Sequence, residues 1–195
     1  MNNLNITLAT FNNHKAAEFK EIFGDLVELK TLKDINFTDE IIEDGLTFIE
    51  NSLIKCRAVY DKIKSPVLAD DSGLCVEALN GEPGLFSARY GGKGLTDKQR
   101  YELLLQNLKG QTNLNAAFVC ALVLFINPNR IYVVQEEVKG LITFNPRGDN
   151  GFGYDPVFYL EQFDKTVAQL TSEQKHSISH RGKAASLMKK IMENL

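Results

Sequence analysis

The sequence predicts an α/β fold built on a mixed β-sheet flanked by helices, and three observations support this prediction. Residues 4–9 place bulky apolar side chains at every second position, as in a strand, and a helical stripe follows over residues 16–23. Residues 67–69 form a short apolar run after a proline, which is typical of a buried strand. The apolar run 118–126 turns back into 131–138, which predicts an antiparallel hairpin and a sheet that is not wholly parallel.

The segment from Thr10 to Lys15 joins the first predicted strand to the first predicted helix. Asn12 or Asn13 can cap this helix, whose first turn carries free backbone N–H groups and the positive end of the helix dipole. Together with Lys15, these groups could bind an anion such as a phosphate. An ordinary capped helix is the simpler interpretation of the segment by itself.

A second strand followed by a loop is expected over residues 27–37, and a strong helix over residues 46–63. Thr47 and Glu50 fit a capping box at the start of this helix. The apolar spacing predicts one continuous buried face, formed by Leu46, Ile49, Leu53, Cys56, Tyr60 and Ile63.

Four carboxylates lie next to these predicted elements. Asp70 and Asp71 directly follow the buried strand, and adjacent strand residues point to opposite faces of a sheet. Both can serve one site only if the chain turns there, and Gly73 permits such a turn. Glu43 and Asp44, just before the long helix, either complement its dipole or hold a metal with that pair. Solvated acids in an ordinary turn explain Asp70 and Asp71 equally well.

Two glycine-rich segments are predicted to be loops. Residues 87–94 could form a lid or a spacer. In residues 148–156, closely spaced glycines allow the backbone to hold Phe152 and Tyr154 with a ring face presented to a base, and Asp155 could accept hydrogen bonds from a heterocycle. A bulged turn with its aromatic side chains packed inward is an equal alternative.

The C-terminal part of the chain contains several hydrogen-bond donors. Lys175 lies in a short helix capped at Thr171, and His180 and Arg181 lie at the start of a closing helix. Imidazole and guanidinium groups donate to a carbonyl or a phosphate, although a solvated basic patch is the alternative. The buried face of the closing helix is expected to consist of Leu187, Met188, Ile191 and Leu195.

The totals of the chain limit the class of protein. A length of 195 residues fits one domain with at most a modest second lobe, and a net charge of −3 argues against a general binder of nucleic acids or membranes. The three cysteines Cys56, Cys75 and Cys120 are odd in number and far apart, which indicates reduced core residues in a reducing cytoplasm. Residues 1–5 have no basic region and no apolar core, so we expect no signal peptide.

Six short motifs occur in an order and at spacings that resemble the inosine triphosphate pyrophosphatase family. The resemblance extends from residue 6 to about residue 190. The motifs are Thr10-x-Asn12-x-x-Lys15, Glu43-Asp44-Gly45-Leu46-Thr47-Phe48-x-Glu50-Asn51, Asp70-Asp71-Ser72-Gly73-Leu74, Pro83-Gly84-x-x-Ser87-Ala88-Arg89-Tyr90, Gly151-Phe152-Gly153-Tyr154-Asp155-Pro156 and Ser179-His180-Arg181-Gly182. Two positions depart from the family pattern, since Phe11 stands where bacterial relatives often have glycine and Asp44 stands where threonine is common.

The resemblance implies a single domain over residues 1–195 with a two-lobed α/β fold, a long mixed sheet and a central substrate cleft. It implies Mg²⁺-dependent hydrolysis of non-standard purine nucleoside triphosphates, namely ITP, dITP and XTP, to the monophosphate and pyrophosphate. It also implies a homodimer and a cytoplasmic location.

Residue roles come from the same motif match. Asp71 is the expected general base, and Glu43 and Asp71 are the expected Mg²⁺ ligands, with Asp70 in a supporting role. Contacts with the substrate are expected from Thr10, Phe11, Asn12, Asn13, His14, Lys15, Ser72, Phe152, Gly153, Tyr154, Asp155, Lys175, His180 and Arg181. Of these, His180 and Arg181 would donate to the O6 atom of a 6-oxopurine, whereas adenine would leave both donors unmatched.

Three other functions compete with this one: cleavage of modified pyrimidine nucleotides, nucleotide sensing without turnover, and RNA binding through the basic segment 175–183. Glu43 and Asp71 argue against a sensor, because a protein that only binds a polyanion gains little from carboxylates without a metal. The negative total charge and the single short basic cluster argue against RNA binding.

Overall fold

The computed structural model describes residues 4–195. The strands are β1 (Leu4–Leu8), β2 (Val27–Thr31), β3 (Val67–Val76), β4 (Asn115–Asn127), β5 (Arg130–Ile142), β6 (Phe158–Leu160) and β7 (Lys165–Thr166). The helices are α1 (Asn13–Phe23), α2 (Phe48–Ile63), α3 (Asp97–Asn107), α4 (Ser172–Ile178) and α5 (His180–Met192). Residues 1–3, part of the segment in which no signal peptide is expected, lie outside the described residues.

The strands form one seven-stranded sheet in the order β2-β1-β3-β4-β5-β6-β7. Both neighbours of β1 run parallel to it, whereas β6 is antiparallel to both β5 and β7. Only Pro128 and Asn129 separate β4 from β5, and so short a connection requires neighbouring strands to run antiparallel. The predicted mixed sheet and its hairpin are therefore confirmed.

The chain divides into two compact units. The first unit contains residues up to Asp71 together with Cys120–Glu136 and Arg181–Leu195, and the second contains Ser72–Val119 and Glu137–His180. Strands β3, β4 and β5 each contribute residues to both units, so the boundary does not coincide with the ends of strands.

In the first unit, alternate residues of β3 and β4 belong to different core clusters. One cluster contains residues of α1 and α5 together with Leu68, Cys120, Leu122 and Leu124. The other contains residues of α2 together with Val67, Ala69, Val123 and Phe125. This alternation is the two-residue period of a strand, and it assigns α1 and α5 to one face of these strands and α2 to the other.

The second unit has its own apolar core, which contains Leu74 and Val76 of β3, Leu104 of α3 and Phe118 of β4. The ring of Phe118 lies 4.5 Å from that of Phe158, centroid to centroid.

The glycine-rich segment 87–94 is held on α3 by the guanidinium of Arg100, which donates to the carbonyls of Tyr90, Gly92 and Leu95. Its action as a lid stays a prediction.

The turn that Gly73 permits does not occur, because β3 continues through Asp70 and Asp71 as far as Val76. Gly73 serves a close approach instead of a turn. A Cβ atom added there would lie 2.2 Å from the carbonyl oxygen of Gly84 and 2.6 Å from Oγ of Ser87, distances that no side chain tolerates. The absence of a side chain therefore lets a neighbouring segment pack on the strand.

The buried faces predicted for α2 and α5 are partly wrong. Leu46 precedes α2 and is 86% exposed. The buried residues of this helix include the polar Asn51, Ser52 and Lys55 as well as Cys56 and Val59. In α5, Leu187 is exposed along with Leu195 beyond the helix, and the buried apolar residues are Ala184, Ala185, Met188 and Met192. Both predictions relied on bulky apolar side chains and therefore missed the smaller and polar residues that face the core.

The three cysteines are free, as predicted, with Cys56 and Cys120 buried and Cys75 partly buried. Burial raises the pKa of the Cys120 thiol to about 12, so this side chain stays protonated and unreactive at neutral pH. Within residues 4–195, no helix has the length and apolar character needed to cross a membrane.

Candidate active site

On the α2 face of β3, two acids from separate segments share one ammonium group. Lys55 Nζ lies 2.6 Å from Oε2 of Glu43 and 3.4 Å from Oδ1 of Asp71. The Lys55 side chain is only 10% exposed, so these contacts are made largely away from solvent. The structure thus brings together the two residues that the motif match predicts as metal ligands.

Burial and charge act in opposite directions on this cluster. Burial raises the pKa of Asp71 above its ordinary value and outweighs the effect of the Lys55 ammonium, which alone would lower it. Burial alone would lower the pKa of Lys55, but the carboxylates of Asp71 and Glu43 raise it. Lys55 is therefore charged at neutral pH, and the pKa of Asp71 lies closer to neutrality than that of an exposed aspartate.

On the opposite face, Asp70 is fully buried and interacts with cations from α1 and α5. Lys15 Nζ lies 3.0 Å from Oδ2 of Asp70, and Nη2 of Arg181 lies 3.5 Å from the same atom. Nη1 of Arg181 lies 2.6 Å from Oε2 of Glu18. Burial alone would raise the pKa of Asp70, but Lys15 and Arg181 hold it well below its usual range.

The segment between β1 and α1 forms a conventional helix cap. Asn12 Oδ1 accepts hydrogen bonds from the backbone N–H groups of His14 at 2.9 Å and Lys15 at 3.2 Å, which confirms Asn12 as the cap. The Oγ1 atom of Thr10 accepts from the N–H of Asn12, and Asn13 Oδ1 accepts from Lys33 Nζ. Because the cap already holds two N–H groups, anion binding by this segment stays a prediction.

In the second unit, the loop that contains Phe152 is closed by an ion pair. Oδ2 of Asp155 accepts from Lys175 Nζ at 2.8 Å and from the N–H of Phe152 at 3.0 Å. The Lys175 ammonium also lies 4.8 Å from the centroid of the Phe152 ring, a cation–π distance. Gly151 has a positive φ of 78°, and a Cβ there would lie 2.1 Å from Oδ2 of Asp155. The ion pair therefore requires glycine at this position.

Two further hydrogen bonds hold the same loop. The N–H of Gly153 donates to Oδ2 of Asp97, in the first turn of α3, at 2.7 Å, and the hydroxyl of Tyr154 donates to the carbonyl of Ser87 at 2.9 Å. Tyr154 is buried, and burial raises the pKa of its hydroxyl above its ordinary value. Inward packing thus describes Tyr154, whereas Phe152 is only partly buried.

Two cavities border this part of the second unit. A small one of about 10 Å³, lined by residues that include Asp155, Lys175 and His180, has room for about one water molecule. A larger one of about 370 Å³ is lined by residues that include Asp97 and Phe152 and has the size of a small-molecule site. The imidazole of His180 stacks on the Phe118 ring at 5.0 Å, with an angle of 14° between the planes.

The model of the Ham1 family matches residues 6–191 of this sequence, which is nearly the whole chain. The chain belongs to the Ham1 family. This assignment confirms the family resemblance predicted from the six motifs.

Relatives of known identity and structure cover the chain almost completely. The dITP/XTP pyrophosphatase of Treponema denticola is 48% identical, over 93% of this chain and 94% of its own length. The dITP/XTP pyrophosphatase of Bacillus subtilis is 43% identical, over 95% of this chain and 96% of its own length. The structure of the Staphylococcus aureus Ham1 protein superposes with a TM-score of 0.89 at 40% sequence identity, over 97% of this chain and 98% of its own. The structure of the Coxiella burnetii Ham1 protein superposes with a TM-score of 0.91 at 38% sequence identity, over 98% of this chain and 100% of its own.

Glu43 and Asp71 have the chemistry of ligands for a hard divalent cation in this Ham1 chain. Both supply carboxylate oxygens, and the Lys55 ammonium between them shows that the position accommodates a positive charge. Mg²⁺ needs only one or two protein carboxylates, since phosphate and water complete its coordination. No cluster of three or more potential ligands among His, Cys, Asp and Glu occurs in the described range 4–195. Coordination by two carboxylates, phosphate and water does not require such a cluster.

The structure brings some of the predicted residues together and not others. In the first unit, Glu43 joins Asp71, whereas Asp70 points to the opposite face with Lys15 and Arg181. In the second unit, the residues of the predicted base site that contact one another are Phe152, Asp155 and Lys175. In the structure, Phe11 and His14 are exposed and Ser72 is partly buried. Their contacts with a substrate stay predictions.

Three residues with evident structural roles at these sites had no role predicted from the sequence, namely Asn51, Lys55 and Asp97, although Asn51 stands in one of the six motifs. Asn51 and Lys55 are four residues apart on α2 and therefore lie on one side of the helix. That spacing was a usable signal, but the stronger apolar stripe concealed it. Asp97 carried no signal beyond that of an acid in the first turn of a helix.

Proposed function

We propose that this Ham1 protein hydrolyses non-standard purine nucleoside triphosphates, namely ITP, dITP and XTP, to the nucleoside monophosphate and pyrophosphate. The observation that carries the proposal is the pairing of Glu43 with Asp71 on one buried ammonium, in a chain that is 48% identical to a dITP/XTP pyrophosphatase. Two carboxylates so placed suit a reaction in which phosphate charge is neutralised and water is activated.

The proposal assigns the phosphate chemistry to residues of the first unit. Asp71 acts as the general base, for which its raised pKa is favourable because a base works best when its pKa is near the working pH. Glu43 and Asp71 would hold Mg²⁺, which when bound neutralises phosphate charge and promotes ionisation of water. Lys15, with Thr10 and Asn12 beside it, binds the phosphates, and Asp70 orients the Lys15 ammonium from 3.0 Å.

The proposal assigns recognition of the base to Phe152, His180 and Arg181. Phe152 stacks on the purine, in a loop held by the Asp155–Lys175 pair. His180 and Arg181 donate to O6 of a 6-oxopurine, so adenine, which carries a donor at that position, leaves them unmatched. An unmatched buried donor costs about 1–3 kcal/mol, which gives roughly tenfold discrimination or more for each group.

We further propose a homodimer and a cytoplasmic location. The three free cysteines support a reducing compartment. Light scattering from the purified protein tests the dimer, which should have twice the 21.9 kDa mass of the chain.

A substrate panel with identified products tests the proposed function. ITP, dITP and XTP are compared with ATP, GTP and a methylated pyrimidine triphosphate, each with and without Mg²⁺. We expect pyrophosphate and the monophosphate from the three non-standard purines, and only with Mg²⁺. Release of orthophosphate would show that a different bond is cleaved, preference for the pyrimidine would favour the first competing function, and binding without turnover would favour a sensor.

A further inference from the structure

Asn51 of α2 contacts both segments that carry the acids of the first unit. Its Nδ2–H donates to Oδ2 of Asp71 at 3.1 Å, and its Oδ1 accepts from the backbone N–H of Gly45, two residues after Glu43, at 2.9 Å. The side chain is almost wholly buried, and both hydrogen bonds are partly shielded from competing water. A single carboxamide thus connects β3 to the loop before α2.

The loop is packed so closely on this carboxamide that its position is fixed. A Cβ atom at Gly45 would lie 2.7 Å from Oδ1 of Asn51 and 2.8 Å from Cβ of Glu50. Glu50 holds the next residue of the loop, since its Oε2 accepts from the N–H of Leu46 at 2.7 Å. The segment after Glu43 therefore closes on the first turn of α2, and Asn51 links that closed segment to Asp71.

The two oxygens of Asp71 have different partners. Oδ2 accepts from the neutral amide of Asn51, while Oδ1 faces the ammonium of Lys55. A carboxylate held at both oxygens cannot rotate freely about its Cβ–Cγ bond, so its plane is set before any ligand arrives. Asn51 achieves this without adding a charge that would compete with a cation.

We propose that Asn51 is a positioning residue that sets the orientation of the Asp71 carboxylate and its distance from the Glu43 segment, so that both acids can bind one divalent cation. This role rests on the proposed function, in which Glu43 and Asp71 are the metal ligands. Loss of a hydrogen-bond partner behind a metal ligand typically costs 10–100-fold in metal affinity or activity.

The test compares three variants of the 195-residue chain. Asn51→Ala removes both hydrogen bonds, and Gly45→Ala displaces the carboxamide while leaving Asn51 in place. Ser52→Ala is the matched control, because Ser52 is the next residue of α2, is equally buried and donates one hydrogen bond, to the carbonyl of Ala121 at 2.8 Å, away from both acids. Binding of Mn²⁺ without nucleotide is measured by electron paramagnetic resonance, and kcat and KM are measured with dITP.

We expect Asn51→Ala and Gly45→Ala each to weaken Mn²⁺ binding by about 10–100-fold and to lower kcat by a similar factor, with KM for dITP changed much less. Ser52→Ala should retain wild-type values although its thermal stability falls. The proposal would be overturned if Asn51→Ala kept both Mn²⁺ binding and kcat within twofold of wild type. If Asn51→Ala does not fold, the same result in Gly45→Ala would overturn it. An equal loss of Mn²⁺ binding and kcat in Ser52→Ala would also overturn it. A wild-type protein that turns over no triphosphate would instead defeat the proposed function, and Mn²⁺ binding would still decide the role of Asn51.

Discussion

Asp70 and Asp71 are adjacent on β3, yet their carboxylates interact with different cations on opposite faces of the strand. Asp70 pairs with Lys15 of α1 at 3.0 Å, and Asp71 pairs with Lys55 of α2 at 3.4 Å. The alternation of side chains along an unbroken strand produces this arrangement. Replacement of the two aspartates by asparagine should therefore have different consequences, although the chemical change is identical.

For Asp71→Asn, we expect loss of activity with little loss of stability. Burial raises the pKa of this carboxyl, which means that the folded protein disfavours its charge, so a neutral amide is well tolerated. Removal of a general base lowers kcat by about 10²–10⁴-fold. Pyrophosphate release from dITP and the thermal unfolding midpoint are measured on the same preparation, and near-normal turnover would refute the assigned base.

For Asp70→Asn, the main expected effect is on stability. The buried charges of Lys15 and Arg181 lose a carboxylate, and removal of one partner from a buried ion pair costs about 3–5 kcal/mol. Glu18 still pairs with Arg181, which favours the lower end of that range. Urea unfolding at pH 7 measures the loss, and a change below about 1 kcal/mol would show that the network contributes little.

The same carboxylate should make stability depend on pH. Lys15 and Arg181 hold the pKa of Asp70 below its value of about 3.9 in an unfolded chain, against the opposing effect of burial. The resulting stabilisation is fully present above the unfolded pKa and is lost as the pH falls through the folded one. We expect the unfolding free energy of the wild type to fall more steeply below about pH 4 than that of Asp70→Asn. Parallel pH profiles would contradict this assignment.

Selectivity should depend on Arg181, but the structure shows that alanine is a poor replacement for testing it. The guanidinium is 2% exposed and interacts with Asp70 and Glu18, so Arg181→Ala leaves buried acids without that partner. Arg181→Lys keeps a charge but loses the planar fork of donors. We expect this variant to narrow the ratio of kcat/KM for ITP over ATP by roughly tenfold. An unchanged ratio in a folded variant would refute the donor role.

The sequence predicted those features that depend on short-range patterns. The cap at Asn12, the start of α2 at Thr47 and the hairpin after β4 each follow from residues within a few positions of one another. The continuation of β3 through Asp70 and Asp71 could not be predicted in this way. Asp-Asp-Ser-Gly favours a turn by itself, and the strand persists because lysines distant in sequence pair with its acids and another segment packs against Gly73.

The cluster around Asp71 shows the same limit. Glu43 and Asp71 were predictable from motifs, whereas Lys55 lies within a helix whose apolar spacing suggested a purely apolar core face. Only the packing of α2 on β3 reveals that polar residues on this helix face the acids. Residues that orient the acids were therefore harder to predict from the sequence than the acids themselves.

Asp97 should affect binding of the nucleotide more than its turnover. The carboxylate accepts the N–H of Gly153 at 2.7 Å and so anchors the loop that presents Phe152. Base stacking on an aromatic side chain contributes about 1–3 kcal/mol, so partial loss of loop order in Asp97→Ala should raise KM for dITP by up to about tenfold, with kcat nearly unchanged. Steady-state kinetics with dITP measure both constants.

The control for this variant is Lys98→Ala on the same turn of α3. Lys98 is exposed and forms a long ion pair with Glu102 at 3.8 Å, which contributes little to stability. Asp97 also complements the dipole of α3, so Asp97→Ala should lose up to about 1 kcal/mol of stability for that reason alone, and kinetics must be measured well below its unfolding temperature. If kcat falls while KM stays constant, Asp97 does not act through the Phe152 loop, because a loosened base site would weaken binding first.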